Sequence, residues 1–265
     1  MLNIKNFFVK VFYPTLLNFS NKRIGKRLYI IFIILFGVLL INKTLEKDKL
    51  FNDYDGIRNV INADASGYYV YLPAFFIYNF KTNNFPDSIS QHSGNGFTLN
   101  NNKVKSKYPL GVAIAYTPFF LTAHLLADNK NGFSPPYHRA ARIAGVFYCI
   151  LGLIFCFLLF SQYVNYLIAF VSLIPLFYGT NLIYFTLLEP VYSHVLSFCL
   201  IAGFILCLHY VKINKNRWCK WLLPLFLGFI ISVRMTNGIV IFLIPFWNIK
   251  RFKDIIEYPK RIIKD

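Results

Sequence analysis

The sequence predicts an all-α fold, a polytopic transmembrane helical bundle with juxtamembrane helices in a long first external loop. Three observations lead there. Hydrophobic residues fill 56% of the 265 positions and charged residues only 15%, a balance that soluble domains do not show. Several apolar runs with few charges approach the roughly 20 residues that cross about 30 Å of hydrocarbon. The net charge of +17 comes mostly from short basic clusters flanking those runs. Cytoplasmic loops hold such clusters, so they are topology signals and do not call for a nucleic-acid partner. A β-barrel would show short alternating segments instead.

Taken in order, "NFFVKVFYPTLLNF" (Asn6 to Phe19) is short and interrupted by Lys10 and Pro14, and is expected to lie along the membrane surface. The first span is Leu28 to Ile41, behind Lys22, Arg23, Lys26 and Arg27. No small-residue cleavage site follows it, so it reads as an uncleaved anchor. A polar interval from Asn42 to Lys107 contains the aromatic block Gly67 to Phe80. As a helix that block would reach only about 21 Å and would bend at Pro73, so it is expected at the interface. The remaining apolar runs are Tyr108 to Ala127, Ala140 to Phe160, Leu167 to Leu188, Val191 to Val211 and Trp221 to Trp247.

Charge bias tests which runs cross. The basic amino terminus, "KINKNRWCK" (Lys212 to Lys220) and the tail with Lys250, Arg251, Lys253, Lys260, Arg261 and Lys264 all belong in the cytoplasm. If every run crossed once, Lys212 to Lys220 would lie outside, so one run fails to cross. Tyr108 to Ala127 is that run, because it holds Pro109, Pro118 and His124 between polar linkers. The turn "EPVYSH", Glu189 to His194, then faces outside. Trp221 to Trp247 has basic residues on both sides, although as a straight helix it would span about 40 Å. Either it is a re-entrant hairpin with its tip at "VRMTNG" (Val233 to Gly238), or it is a long tilted helix with an external tail. The chain thus reads as one membrane module: a cytoplasmic or interfacial segment 1–27, the first transmembrane helix 28–41, an external loop 42–139, transmembrane helices with the hairpin 140–247, and a basic tail 248–265. The five cysteines show no CxxC and read as packing residues.

Ionisable residues at membrane depth cost at least about 2.5 kcal/mol each on insertion scales, so each invites a functional explanation. Asp64, the Glu189/His194 pair and Arg234 qualify. Asp64 stands before a wall of tyrosines where loop meets bilayer; it is a general base, or else Asp64 or Ser66 simply supplies a helix N-cap. Glu189 precedes Pro190 and either complements the next helix start or serves the site. His194 lies five positions on, off Glu189's helical face, so the pair alone makes a weak metal site. Arg234 stays charged and needs an anion, either Glu189 or a phosphate. Lys103, Lys105 and Lys107 alternate before "YPLG" and are either a solvated loop or a contact for lipid phosphates.

"NADASGYYVYLPAFF", "KYPLGVAIAYTPFFLTAH", "NGFSPPY", "YGTNLIYFTLLEPVYSH" and "GFIISVRMTNGIVIFLIPFW" resemble, in sequence and order, the amino-terminal half of bacterial membrane glycosyltransferases of the GT-C superfamily. That superfamily includes protein O-mannosyltransferases and the aminoarabinose transferases of lipid A. The resemblance implies a GT-C-like, truncated architecture in the cytoplasmic membrane, since such enzymes continue for several more helices. It implies a polyprenyl-phosphate sugar as donor and a glycan, lipid or protein acceptor. Asp64 matches the catalytic base, with Asp55 as a substitute. Arg234, assisted by Lys107, would bind the lipid phosphate. Tyr68 and Tyr69 would offer hydroxyls to a sugar. Glu189 and His194 would orient the acceptor or a divalent ion, and no metal is assigned. The competing expectation is a non-catalytic membrane subunit, a lipid- or solute-translocating protein, or an inactive fragment.

Overall fold

The computed structural model describes residues 22–46, 59–85, 96–100, 103–213 and 218–247. The surface segment expected at Asn6 to Phe19, the substitute base Asp55 and the tail 248–265 lie outside the described residues. Described residues are 75% helix and 4% strand, so the fold is mostly helical. The strands depart from the all-α expectation. They form one antiparallel hairpin, β1 (Phe97–Asn100) and β2 (Lys103–Ser106).

Among the described residues, three helices are long and apolar enough to cross a membrane. They are α1 (Lys22–Glu46), α5 (Pro135–Phe160) and α9 (Ser193–Lys212). Helix α1 exceeds the run 28–41 at both ends, because flanking Lys and Arg can stay helical while their long stems carry the charge towards water. It runs antiparallel to α5: Tyr29 stacks near Phe157 at 5.8 Å, Gly37 abuts Ile150, and Arg142 Nη1 donates to the Thr44 carbonyl at 3.3 Å. Helix α9 runs parallel to α5. Gly145 meets Pro190, Gly152 meets Phe198, and Tyr163 and His209 join at 3.0 Å near the far ends. Small residues at these crossings let the helices approach closely, the usual means of association where lipid removes the hydrophobic drive.

Leu167 to Leu188, which the sequence presents as one apolar run, is three short helices, α6 (Tyr166–Val171), α7 (Leu173–Tyr178) and α8 (Leu182–Leu187). Pro175 lacks an amide proton, and Gly179, Thr180 and Asn181 stand between the last two helices. The pieces still travel along α1. Phe170 packs on Tyr29 at 5.1 Å, Phe177 on Phe36 at 5.3 Å, and Phe185 reaches His194 at the start of α9.

Helix α10 (Trp218–Val233) climbs back along α9, with Phe226 against Gly203. The chain reverses at Arg234, which is extended (φ −158°), and returns as a 3-10 helix Met235–Phe242 and a short α11 (Leu243–Phe246). Ile231 faces Gly238 across the turn, and Trp247 comes back to His209, its ring 6.5 Å away. Both arms therefore start and finish at the end of the bundle where α9 finishes.

The segment between α1 and α5 forms α2 (Ala63–Tyr69), α3 (Tyr71–Phe76), the β-hairpin and α4 (Gly111–Leu126). Helix α4 packs along most of its length against the first half of α5: Tyr148 donates to Ala115 O at 2.6 Å, and His124 meets Tyr137 at 2.6 Å. A Cβ at Gly111 would sit 2.5 Å from Ser232, so α4 begins against the last turn of α10.

Candidate functional site

Two hydroxyls on one face of α9 organise the site. Ser193 and Ser197 are one helical turn apart. Tyr68 Oη donates to Ser193 Oγ at 3.2 Å, and Asn237 Nδ2 donates to Ser197 Oγ at 2.8 Å. The first bond docks α2, which carries Asp64. The second docks the hairpin tip, which carries Arg234. Both elements therefore meet the same end of α9.

Asp64 is exposed and is the second residue of α2, not its cap. The cap position belongs to Asn62, which makes no side-chain capping bond, and Ser66 Oγ donates back to Ala63 O at 2.7 Å. Ala63 itself is left-handed, φ 44°, a conformation that costs an L-residue about 1–2 kcal/mol. Strain of this kind collects at working sites. It stands here directly before the carboxylate.

Asp64 faces Tyr108, a residue nothing local in the sequence marks as part of a site. Tyr108 Oη is buried and makes no hydrogen bond of good geometry. The Asp64 carboxylate lies within its reach, and burial followed by that contact holds the phenol well above its usual range. Tyr108 is held firmly: the Tyr68 ring packs tilted against its ring at 4.5 Å, Tyr71 Oη donates to its backbone carbonyl at 2.6 Å, and any side chain at Gly67 would collide with the ring. Lys107 Nζ lies 5.1 Å from the same ring, within cation–π range.

Tyr192 and His194 connect the acid to the cation. Burial first, then the charges of Glu189 and Asp64, raise the Tyr192 phenol above its usual range. His194 is exposed, stacks on Phe185 at 3.9 Å and lies within electrostatic reach of Arg234. Glu189 sits in the turn before α9, where its carbonyl accepts from Tyr192 N at 3.3 Å. Of the residues nominated from sequence, Asp64, Tyr68, Lys107, Glu189, His194 and Arg234 thus stand around Tyr108 and Tyr192. Tyr69 does not. It is buried on the other side of α2, its hydroxyl donates to Gly132 O at 2.8 Å, and its ring packs on Phe120 and Phe133.

Among the described residues no group of three or more His, Cys, Asp or Glu could hold a metal ion. The arrangement pairs an exposed carboxylate backed by a phenol with an exposed guanidinium and an imidazole. It can take a proton on one side and balance an anion on the other. No family model matches the chain, and no curated protein or solved structure matches it significantly.

Proposed function

We propose that this chain is an inverting membrane glycosyltransferase of GT-C type that moves a sugar from a polyprenyl-phosphate donor to a cell-envelope acceptor at the outer face of the cytoplasmic membrane. The observation that carries the reading is that the elements bearing Asp64 and Arg234 dock at the same end of α9, through Tyr68–Ser193 and Asn237–Ser197. Orientation follows from charge. Lys22, Arg23, Lys26 and Arg27 at the start of α1, Lys212 at the end of α9 and Lys220 in α10 share the opposite end of the bundle, and basic ends face the cytoplasm.

In this mechanism Asp64 accepts the proton of an acceptor hydroxyl as that oxygen bonds to the anomeric carbon. The bond from that carbon to the phosphate oxygen breaks with inversion, polyprenyl phosphate departs, and Asp64 passes its proton to water. Tyr108 positions the carboxylate. Arg234, with Lys107, balances the charge gathering on the departing phosphate, where a fixed cation near the bilayer acts more strongly than in bulk water. Glu189, Tyr192 and His194 orient the acceptor.

The test is transfer from a panel of polyprenyl-phosphate hexoses and pentoses by the protein reconstituted in vesicles. Asp64→Asn should lower the rate about 10²- to 10⁴-fold with melting unchanged. Full activity in that variant would remove Asp64 from the chemistry and this reading with it.

A further inference from the structure

Strand β2 has a strict two-sided character. Lys103 and Lys105 are exposed while Val104 and Ser106 are partly buried, and Lys107 just beyond is exposed as well. The inner row is pinned. Ser106 Oγ donates to Gly67 O at 2.7 Å, and Leu99 and Val104 pack on the core. Outward, Thr98 pairs with Lys105 in the ladder and is also exposed. A strand rises about 3.3 Å per residue, so Lys103 and Lys105 stand about 7 Å apart, and Lys107 follows at the bend just past the strand. That row ends at Tyr108, whose hydroxyl reaches Asp64. Among the described residues between 59 and 139, the acids are Asp64 and Asp128, so the row is a cationic approach to an acidic end point.

A surface that lies on a bilayer interleaves basic residues with large apolar ones. The exposed apolar residues of this region lie on the helices: Phe75 and Phe76 on α3 with Phe80 just after it, and Leu110, Ile114, Leu121, Leu125 and Leu126 at the start and along α4. The described hairpin residues expose none. Its outward face suits a charged polymer in water better than lipid.

We propose that Lys103, Lys105 and Lys107 form a docking track for a polyanionic glycan, with acidic groups about as far apart as the lysines, and that the track delivers the acceptor to Asp64. The delivery half rests on the transferase reading; the binding half does not. Binding can be measured without transfer, using the full chain in phosphatidylcholine nanodiscs titrated with oligogalacturonate and with uncharged dextran at low and high salt. The wild type and Asp64→Asn should both bind oligogalacturonate in a salt-sensitive manner and ignore dextran. K103Q/K105Q/K107Q should bind about tenfold more weakly, three exposed ion pairs at about 0.5 kcal/mol each. Equal affinity of the triple variant, equal binding of dextran, or an effect of the triple variant confined to phosphatidylglycerol nanodiscs would overturn the track. If the track binds as described while no polyprenyl-linked sugar is ever transferred, it is the transferase reading that fails.

Discussion

Two arginines lie within the apolar part of this chain, and their surroundings could hardly differ more. Arg142, on α5, is 2% exposed and donates to the carbonyl of Thr44 in the last turn of α1. It sits where the negative end of a helix welcomes a cation and where carbonyls lack intrahelical partners. Arg234 is exposed at a chain reversal, with backbone bonds to Ile230 and Asn237 holding the turn and His194 within reach. One guanidinium joins two helices; the other is presented at the same rim as Asp64. A charged residue at membrane depth therefore signals function only when the fold leaves it facing out of the packing.

Substitution should separate the two. Arg142→Ala leaves a void and an orphaned carbonyl between α1 and α5, at a cost of about 3–5 kcal/mol. The expected result is loss of the monodisperse peak in detergent chromatography, and with it all activity. Arg234→Ala should keep that peak and its melting temperature while transfer falls about 10²- to 10³-fold. A reversed outcome would exchange the roles assigned to the two residues.

Neighbouring tyrosines give a smaller version of the same contrast. Tyr108→Phe removes only the hydroxyl facing Asp64 and should slow transfer about tenfold, the effect of losing one polar neighbour of a charged group. Tyr69→Phe loses its bond to Gly132 and should lower the melting temperature with little change in any transfer rate of the folded protein. Steady-state rates and melting curves on the two variants distinguish them. A weaker effect concerns alkaline pH. Burial raises the phenols of Tyr69, Tyr108 and Tyr192, and lifts Tyr78 from 10.0 to about 12. Below pH 10 both the folded and unfolded chains keep these protons, so the shifts cost nothing. Above it the unfolded chain releases them first, and stability should fall as pH climbs from 10 towards 12. A fraction of the tyrosinate absorbance that appears only with unfolding would show this; titration of every tyrosine before unfolding would deny it.

The helical class was legible because runs such as Ala140 to Phe160 are long, apolar and nearly charge-free. Other features were written in the sequence and outweighed. "FTLNNNKVKS" alternates with period two around an asparagine turn, a hairpin signal hidden within a long polar interval. The breaks near Ser172 and at Gly179 to Asn181 carry ordinary turn residues, yet the apolar run around them looked continuous. Arg142 and Tyr108 could not be sorted in advance. Nothing local separates a capping arginine from an active one, or a tyrosine against a carboxylate from one in an aromatic belt. Their roles depend on Thr44, 98 positions away in the chain, and on Asp64, both brought near by tertiary packing.

Sided labelling addresses the shared rim most directly. The native cysteines are all buried, so Asp64→Cys and Arg234→Cys can each be probed in intact spheroplasts with a membrane-impermeant maleimide, then in inverted vesicles. Both variants should label from outside and resist labelling from the cytoplasmic face, and in the double variant a short bifunctional maleimide should link the two positions. Labelling from opposite faces would contradict the site described for this protein.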